Sequence, residues 1–142
     1  MSRTLVIAKP DAVERGLAGE IIHRLEAKGL RLEAAELRLL DVATAEQHYA
    51  EHSGKGFFAD LVRFITRSPA LVMVVDGADH TWQVVRTMVG ATDPAQAAPG
   101  TIRGDLAVHK TENLIHASDG PESAEREIAL FFPALAQGAE AP

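Results

Sequence analysis

Covalent chemistry in this chain falls to serine, threonine, lysine, histidine or a carboxylate, because its 142 residues include no cysteine. The same absence removes disulfides and thiolate metal sites, and it suits a reducing compartment. Of the six histidines, His116 stands apart. It ends a short apolar run, Leu114-Ile115, just ahead of a helix start at Ser118-Asp119. The free N–H groups of a helix start attract anions. Ser118 is close enough to hydrogen-bond nearby. Glu127 falls one helical turn after Ser123, on the flank of an apolar stripe, and could reach back to the strand end. A carboxylate on one ring nitrogen fixes the tautomer and raises the basicity of the other. On this context alone, a nucleophilic histidine and a strand-end histidine capped by its neighbours are equally good readings. The other histidines read as packing or surface residues: His23 on a helix, His48, His52 and His80 in polar surroundings, His109 with no evident partner. His48 and His52 are four apart, but no third ligand completes a zinc site.

An acceptor of phosphate needs phosphate ligands. Neither a P-loop nor a glycine-rich dinucleotide motif is present. Single cations stand instead at loop or element ends: Lys9 after the first strand, Arg86 late in a helix, Arg103 in a Pro/Gly-rich loop. Alone, each is an ordinary solvated charge. Converging, they would clamp phosphate, with arginine forks matched to its oxygens. Phe57 follows Gly54 and Gly56 at the mouth of a helix, where an aromatic either packs or stacks on a base.

The elements that must position these residues follow from periodicity. Residues 4–8 (TLVIA) and 70–75 (ALVMVV) are short apolar runs that read as buried strands. Residues 30–40 alternate, with a change of phase that predicts a bulge at Ala34-Ala35. Asn113-Leu114-Ile115 reads as a further strand. Helical spacing appears at Leu17, Ile21, Ile22 and Leu25, closed by Gly29. It recurs from Phe57 to Ile65, and at Trp82, Val85, Met88 and Val89, stopped by Gly90. Thr44 with Gln47 predicts a capping box for a short helix. Pro121 opens a last helix with the stripe Ala124, Ile128 and Phe132. Residues 91–104 are the least regular, as functional loops often are. Without the smaller helices the order is βαββαβ, which predicts an α+β (α/β) ferredoxin-like fold with a four-stranded antiparallel sheet covered by helices. The expected organisation is one domain over residues 1–135 and a loose tail over 136–142.

The formal net charge is -6, so nucleic acid and anionic lipid gain no long-range attraction to the chain. No apolar run approaches the roughly 20 residues of a membrane span, and the short apolar start, cut off by Lys9, does not read as a signal peptide. A cytoplasmic protein with neither nucleic-acid nor membrane partners is expected.

From Thr4 to about Phe132 the chain resembles nucleoside diphosphate kinases. The segments that carry the resemblance are TLVIAKPDAVERGLAGEII, QHY, GFF, RTMVGATDPAQAAPGTIRGD and NLIHASDG followed by SAEREI. The family signature N-x-x-H-G-S-D appears as Asn113-Leu-Ile-His116-Ala-Ser118-Asp119. The resemblance implies that His116 is phosphorylated, normally at Nδ1, with Ser118 and Glu127 orienting it. It implies that Lys9, Tyr49, Arg103 and Asn113 surround the transferring phosphate and the sugar hydroxyl. Arg86 and Thr92 would hold the outer phosphates and Phe57 would stack on the base. It further implies ATP and other nucleoside di- and triphosphates as partners, magnesium (Mg2+) carried by their phosphates with no dedicated protein cage, and a homo-oligomer, a tetramer or hexamer built from dimers. Ala117 stands where the family usually has glycine, and Gly120 where serine is common. The Ala117 methyl either crowds the backbone or marks a position with an ordinary φ. A non-catalytic nucleotide-binding module and an assembly subunit are the alternatives, and neither needs His116 together with Glu127.

Overall fold

The computed structural model describes residues 2–136. Four strands, β1 (Ser2–Ala8), β2 (Arg31–Arg38), β3 (Ala70–Gly77) and β4 (Ile115–Ala117), form one sheet in the order β2-β3-β1-β4. Every pairing is antiparallel. Seven helices intervene: α1 (Pro10–Glu14), α2 (Ala18–Ala27), α3 (Val42–His48), α4 (Phe58–Thr66), α5 (Thr81–Val89), α6 (Ile102–Leu106) and α7 (Pro121–Phe131). This is the expected ferredoxin-like arrangement.

Helices cover both faces, and that explains the unbroken apolar run of β1. Val6 and Ala8 join a core with Ile21 and Leu25 of α2 and Val85 and Val89 of α5. Leu5 and Ile7 join a second core with Ala45 of α3, Val62 and Ile65 of α4, and Ile128 and Phe131 of α7. Alternate side chains of a strand point to opposite faces, so a strand buried on both must be apolar throughout. Burial of large side chains at about 1.5–3 kcal/mol each is the main stabilising term.

Several local expectations are corrected. The β2 irregularity falls between Leu32 and Ala34, one residue early, so Ala34 and Ala35 pair regularly with Val74 and Met73. Past it, β2 runs along the sheet edge and leaves Leu37 59% exposed, and Leu39, just beyond the strand's end, is 63% exposed. The cap of α3 is Asp41, which accepts from the Thr44 N–H at 3.2 Å, and Thr44 lies inside the helix. Pro10 ends β1 as expected, but it also opens α1, since proline suits the first helical position. The irregular stretch contains α6, capped by Thr101. The final strand is 115–117 rather than 113–115, and the apolar stripe of α7 closes on Phe131, not Phe132. Of the expected tail, Ala136 follows a 3-10 turn over Pro133–Leu135, and residues 137–142 lie outside the described part.

Candidate active site

His116 sits in the middle of β4. Ile115 and Ala117 turn into the first core, so the strand alternation sends the His116 ring to the opposite face, on the side of its cross-strand partner Ile7. Helix α7 covers that face. Glu127 lies three residues after Ala124 and four before Phe131, so it shares their buried stripe and is only 4% exposed. Its Oε1 is 2.8 Å from His116 Nε2 and accepts from the Ser118 hydroxyl at 2.7 Å. Ser118 is fully buried, and its own N–H donates to the Leu5 carbonyl at 3.1 Å. Burial pushes the Glu127 carboxyl up, but the His116 and Ser118 hydrogen bonds and the His116 charge together outweigh it and hold the group below its ordinary value. An ionised carboxylate only accepts, so His116 Nε2 carries the proton and Nδ1 keeps the lone pair.

Residues 113–117 tie the remaining groups together. Lys9 Nζ donates to Asn113 Oδ1 at 2.8 Å, and Asn113 Nδ2 donates to the Thr92 and Lys110 carbonyls at 3.0 and 3.1 Å. Arg103, 4% exposed, spends its guanidinium on the Asn113, Gly90 and Ile115 carbonyls at 3.3, 3.1 and 2.6 Å. Arg86 donates to the Ala117 carbonyl at 2.9 Å. These carbonyls carry no formal charge, so the cations are left to answer an anion. Burial, then the Arg103 charge, lowers the Lys9 ammonium to about 8 against a smaller opposing effect of Asp11. Burial, then Arg86, lowers Arg103 to about 10. Gly104 allows this packing: a Cβ there would collide with the Ala98 carbonyl and the Thr101 hydroxyl.

A line of rings leads away from His116. His48 meets it edge-on at 4.6 Å between centroids, Tyr49 lies 4.7 Å from His48, His52 6.5 Å from Tyr49, and Phe57 5.4 Å from His52. Phe57 is 47% exposed, free to receive a flat ligand. Burial pushes the Tyr49 hydroxyl up to about 12, with Glu127 adding to it. A cavity of about 190 Å³ joins Tyr49, Arg86, His116 and Glu127. Arg103 is linked to it through the Asn113 and Ile115 carbonyls, Lys9 and Thr92 through the Asn113 side chain, and Phe57 through its ring contact with His52. A larger cavity, about 550 Å³ between Arg3, Trp82 and Glu122, has no part in this constellation.

Two residues escaped sequence reasoning. His48, taken as surface, is 4% exposed; burial, then the His116 charge, lowers it to about 3 and keeps it neutral. Its position three after the buried Ala45 was the available signal. Asp11 is 3% exposed and accepts from the Leu114 N–H at 3.0 Å, pinning a leucine at φ 75°. Burial raises its carboxyl against those backbone bonds. Ala117 has no positive φ and packs in the core, which answers the question its methyl raised.

An oriented imidazole beside cations that have no carboxylate ion-pair partner among the described residues is equipped to accept a phosphoryl group. On this fold, the site defines a phosphotransferase. The family model for nucleoside diphosphate kinase matches residues 2–136. A nucleoside diphosphate kinase of Chloroflexus aggregans is 59% identical over 132 residues, covering 93% of this chain and 87% of the relative. One of Nocardioides is 56% identical, covering 94% and 98%. Among solved structures, a nucleoside diphosphate kinase family protein from Babesia bovis superposes with a TM-score of 0.90 at 46% identity, covering 93% and 88%. The halophilic enzyme of Halobacterium salinarum, in complex with CDP, gives 0.89 at 51%, covering 92% and 87%. The chain belongs to the nucleoside diphosphate kinase family. Its activity is the transfer of the terminal phosphate of a nucleoside triphosphate to a nucleoside diphosphate.

Proposed function

We propose that His116 carries the phosphate between the two nucleotides in a ping-pong cycle. The observation that supports this most is the 2.8 Å contact of Nε2 with the buried Glu127, which leaves Nδ1 as the nucleophile. The Nδ1 lone pair forms the N–P bond as the β–γ bridging P–O bond breaks, and the electron pair leaves with the diphosphate. No proton has to move at Nδ1. The ring gains positive character, which ionised Glu127, steadied by Ser118, stabilises. A second diphosphate then attacks the phosphorus and restores the free imidazole.

Lys9, Arg103, Asn113 and Tyr49 surround the transferring phosphate and the sugar hydroxyl. Arg86 and Thr92 hold the outer phosphates. Such transfer passes through a loose transition state, so fixed cations that need no rearrangement stabilise it. Phe57 stacks on the base without reading its edge, which makes the site tolerant of nucleobase. The carboxylate beside His116, Glu127, is engaged by His116 and Ser118, so this corner has no oxygen cage for magnesium. The nucleotide phosphates are the better ligands, and the metal neutralises their charge when bound.

The working form is a cytoplasmic homo-oligomer, a tetramer or hexamer built from dimers. Exposed Leu37 on the edge strand, with Leu39 just past its end and Val42 at 55%, favours burial against a second copy. Light scattering of the purified chain reads the mass. No helix of the described residues is long and apolar enough to cross a membrane. The single domain is taken to run over residues 1–135, as the sequence suggests.

The deciding experiment mixes the protein with magnesium, ATP and GDP, beside His116→Ala. GTP and a one-phosphate mass gain after ATP alone, both absent in the variant, are expected. GTP formation by a folded His116→Ala would overturn the relay.

A further inference from the structure

Beside His116 lies a set of donors that phosphate transfer leaves partly unused. His48 is 96% buried by its 4% exposure, and neither of its ring nitrogens has a partner among the described residues. One donor atom from each of His48, His116 and Glu127 lies within 4.8 Å of the other two. Glu127 meets His116 and Ser118 through Oε1, while among the described residues Oε2 has only Arg126 at 3.6 Å. We propose that His48, His116 and Glu127 form a binding site for a borderline divalent cation of the zinc type, and that its occupancy shuts His116 off as a phosphate acceptor.

The donor chemistry selects the ion. Two imidazoles and one carboxylate, with a fourth position open to water, are a zinc set, bound at about 2.0–2.2 Å. Magnesium and calcium demand oxygen shells that two imidazoles do not supply. Donors of a tetrahedral ion sit roughly 3.3 Å apart at those bond lengths, so His116 and Glu127, 2.8 Å apart, must part slightly while the wider separations, at most 4.8 Å, close by up to about 1.5 Å. His116 would exchange its hydrogen bond to Glu127 for the ion, and His48 would gain a partner for a nitrogen that has none. The charge of the cavity permits this: Glu51, Asp119 and Glu127 line it against Arg86 and Arg126. Coordination takes the Nε2 lone pair and leaves the ring proton on Nδ1, so zinc and phosphate exclude each other at His116. The binding claim stands alone, and only the shut-off rests on reading His116 as the phosphate carrier.

The test is zinc titration of the full chain by calorimetry, after metal stripping. One zinc per chain is expected. His48→Phe and His48→Asn, checked for folding by circular dichroism, should each weaken binding at least about tenfold, and exposed-site His109→Asn should not. Protein phosphorylated by ATP should bind none. X-ray absorption of the zinc-loaded wild type should show two imidazoles, a readout that does not depend on the variants folding. Wild-type affinity in a folded His48 variant, or fewer than two imidazoles, overturns the site. Zinc-bound protein that still takes phosphate from ATP overturns the shut-off. GTP formation without zinc tests the relay separately, so the two ideas can fail independently.

Discussion

Glu127→Gln removes a charge from the buried end of the His116 chain and almost no volume. Gln Oε1 can still accept from both His116 and Ser118, which meet the wild-type oxygen at 2.8 and 2.7 Å. What changes is the strength of the bond to His116 as the ring becomes positive during transfer. Hydrogen bonds to charged groups contribute about 1.5–3 kcal/mol and neutral ones about 0.5–1.5. The Ser118 bond does not change along the reaction, so only one bond counts, a loss of about 1–2 kcal/mol of transition-state stabilisation by that difference. That is roughly 5- to 30-fold in the rate of phosphoenzyme formation. Rapid quench of a single turnover with ATP reads it directly. A folded variant within twofold of wild type would refute the claim that this carboxylate stabilises the charged ring. Stability gives a second check. The Glu127 carboxyl is held below its ordinary 4.5, so its contribution is full above that pH and is lost as the pH falls through the lowered value. The glutamine variant should lack that part of the acid limb of wild-type unfolding.

Lys9 loses its charge as pH rises through about 8, so kcat/KM for the donor triphosphate, which meets the unphosphorylated protein, should fall about tenfold from pH 7 to 9, since this parameter reports the free protein. An unchanged value to pH 9.5 would remove Lys9 from the phosphate contacts. Arg103→Lys cannot reach all three carbonyls and leaves at least one buried acceptor unpaired, at about 1–3 kcal/mol each; urea unfolding should show a loss of that order. A smaller loss than about 0.5 kcal/mol would mean that the fork is not needed. Phe57→Ala should raise KM for purine and pyrimidine nucleotides alike, by about 1–2 kcal/mol or roughly 5- to 30-fold, while the melting temperature stays put because the side chain is half exposed. A base-selective change would contradict simple stacking.

Local pattern was enough for β1, β3, α2, α5 and the proline start of α7, because in each the apolar period and the stop signal agree. The site was half legible. His116 with Glu127 could be suggested by context, since one ends an apolar run and the other flanks a stripe. That Lys9, Arg86 and Arg103 gather on residues 113–117 could not, because their hydrogen bonds span up to 104 residues of sequence. His48 was hidden by polar neighbours: Glu46 and Gln47 point outward, and composition does not say which face of a two-turn helix is buried. The β4 shift has the same kind of cause. Asp11 holds Leu114 in a conformation that leucine seldom adopts, so the strand starts only at Ile115.

The crowded cations have a consequence for the life of the protein in a cell. Lys9 and Arg103 are each destabilised by a neighbouring positive charge, and nothing in the described residues gives Arg103 a carboxylate. A nucleotide supplies the missing negative charge, and any ligand that binds only the folded form stabilises it by mass action. Starved of nucleotides, the chain should open more often and be cleared sooner by proteases; pulse proteolysis with and without ADP would show it. The amount of enzyme would then follow the supply of the molecules it interconverts, with no regulator beyond the charge of its own pocket.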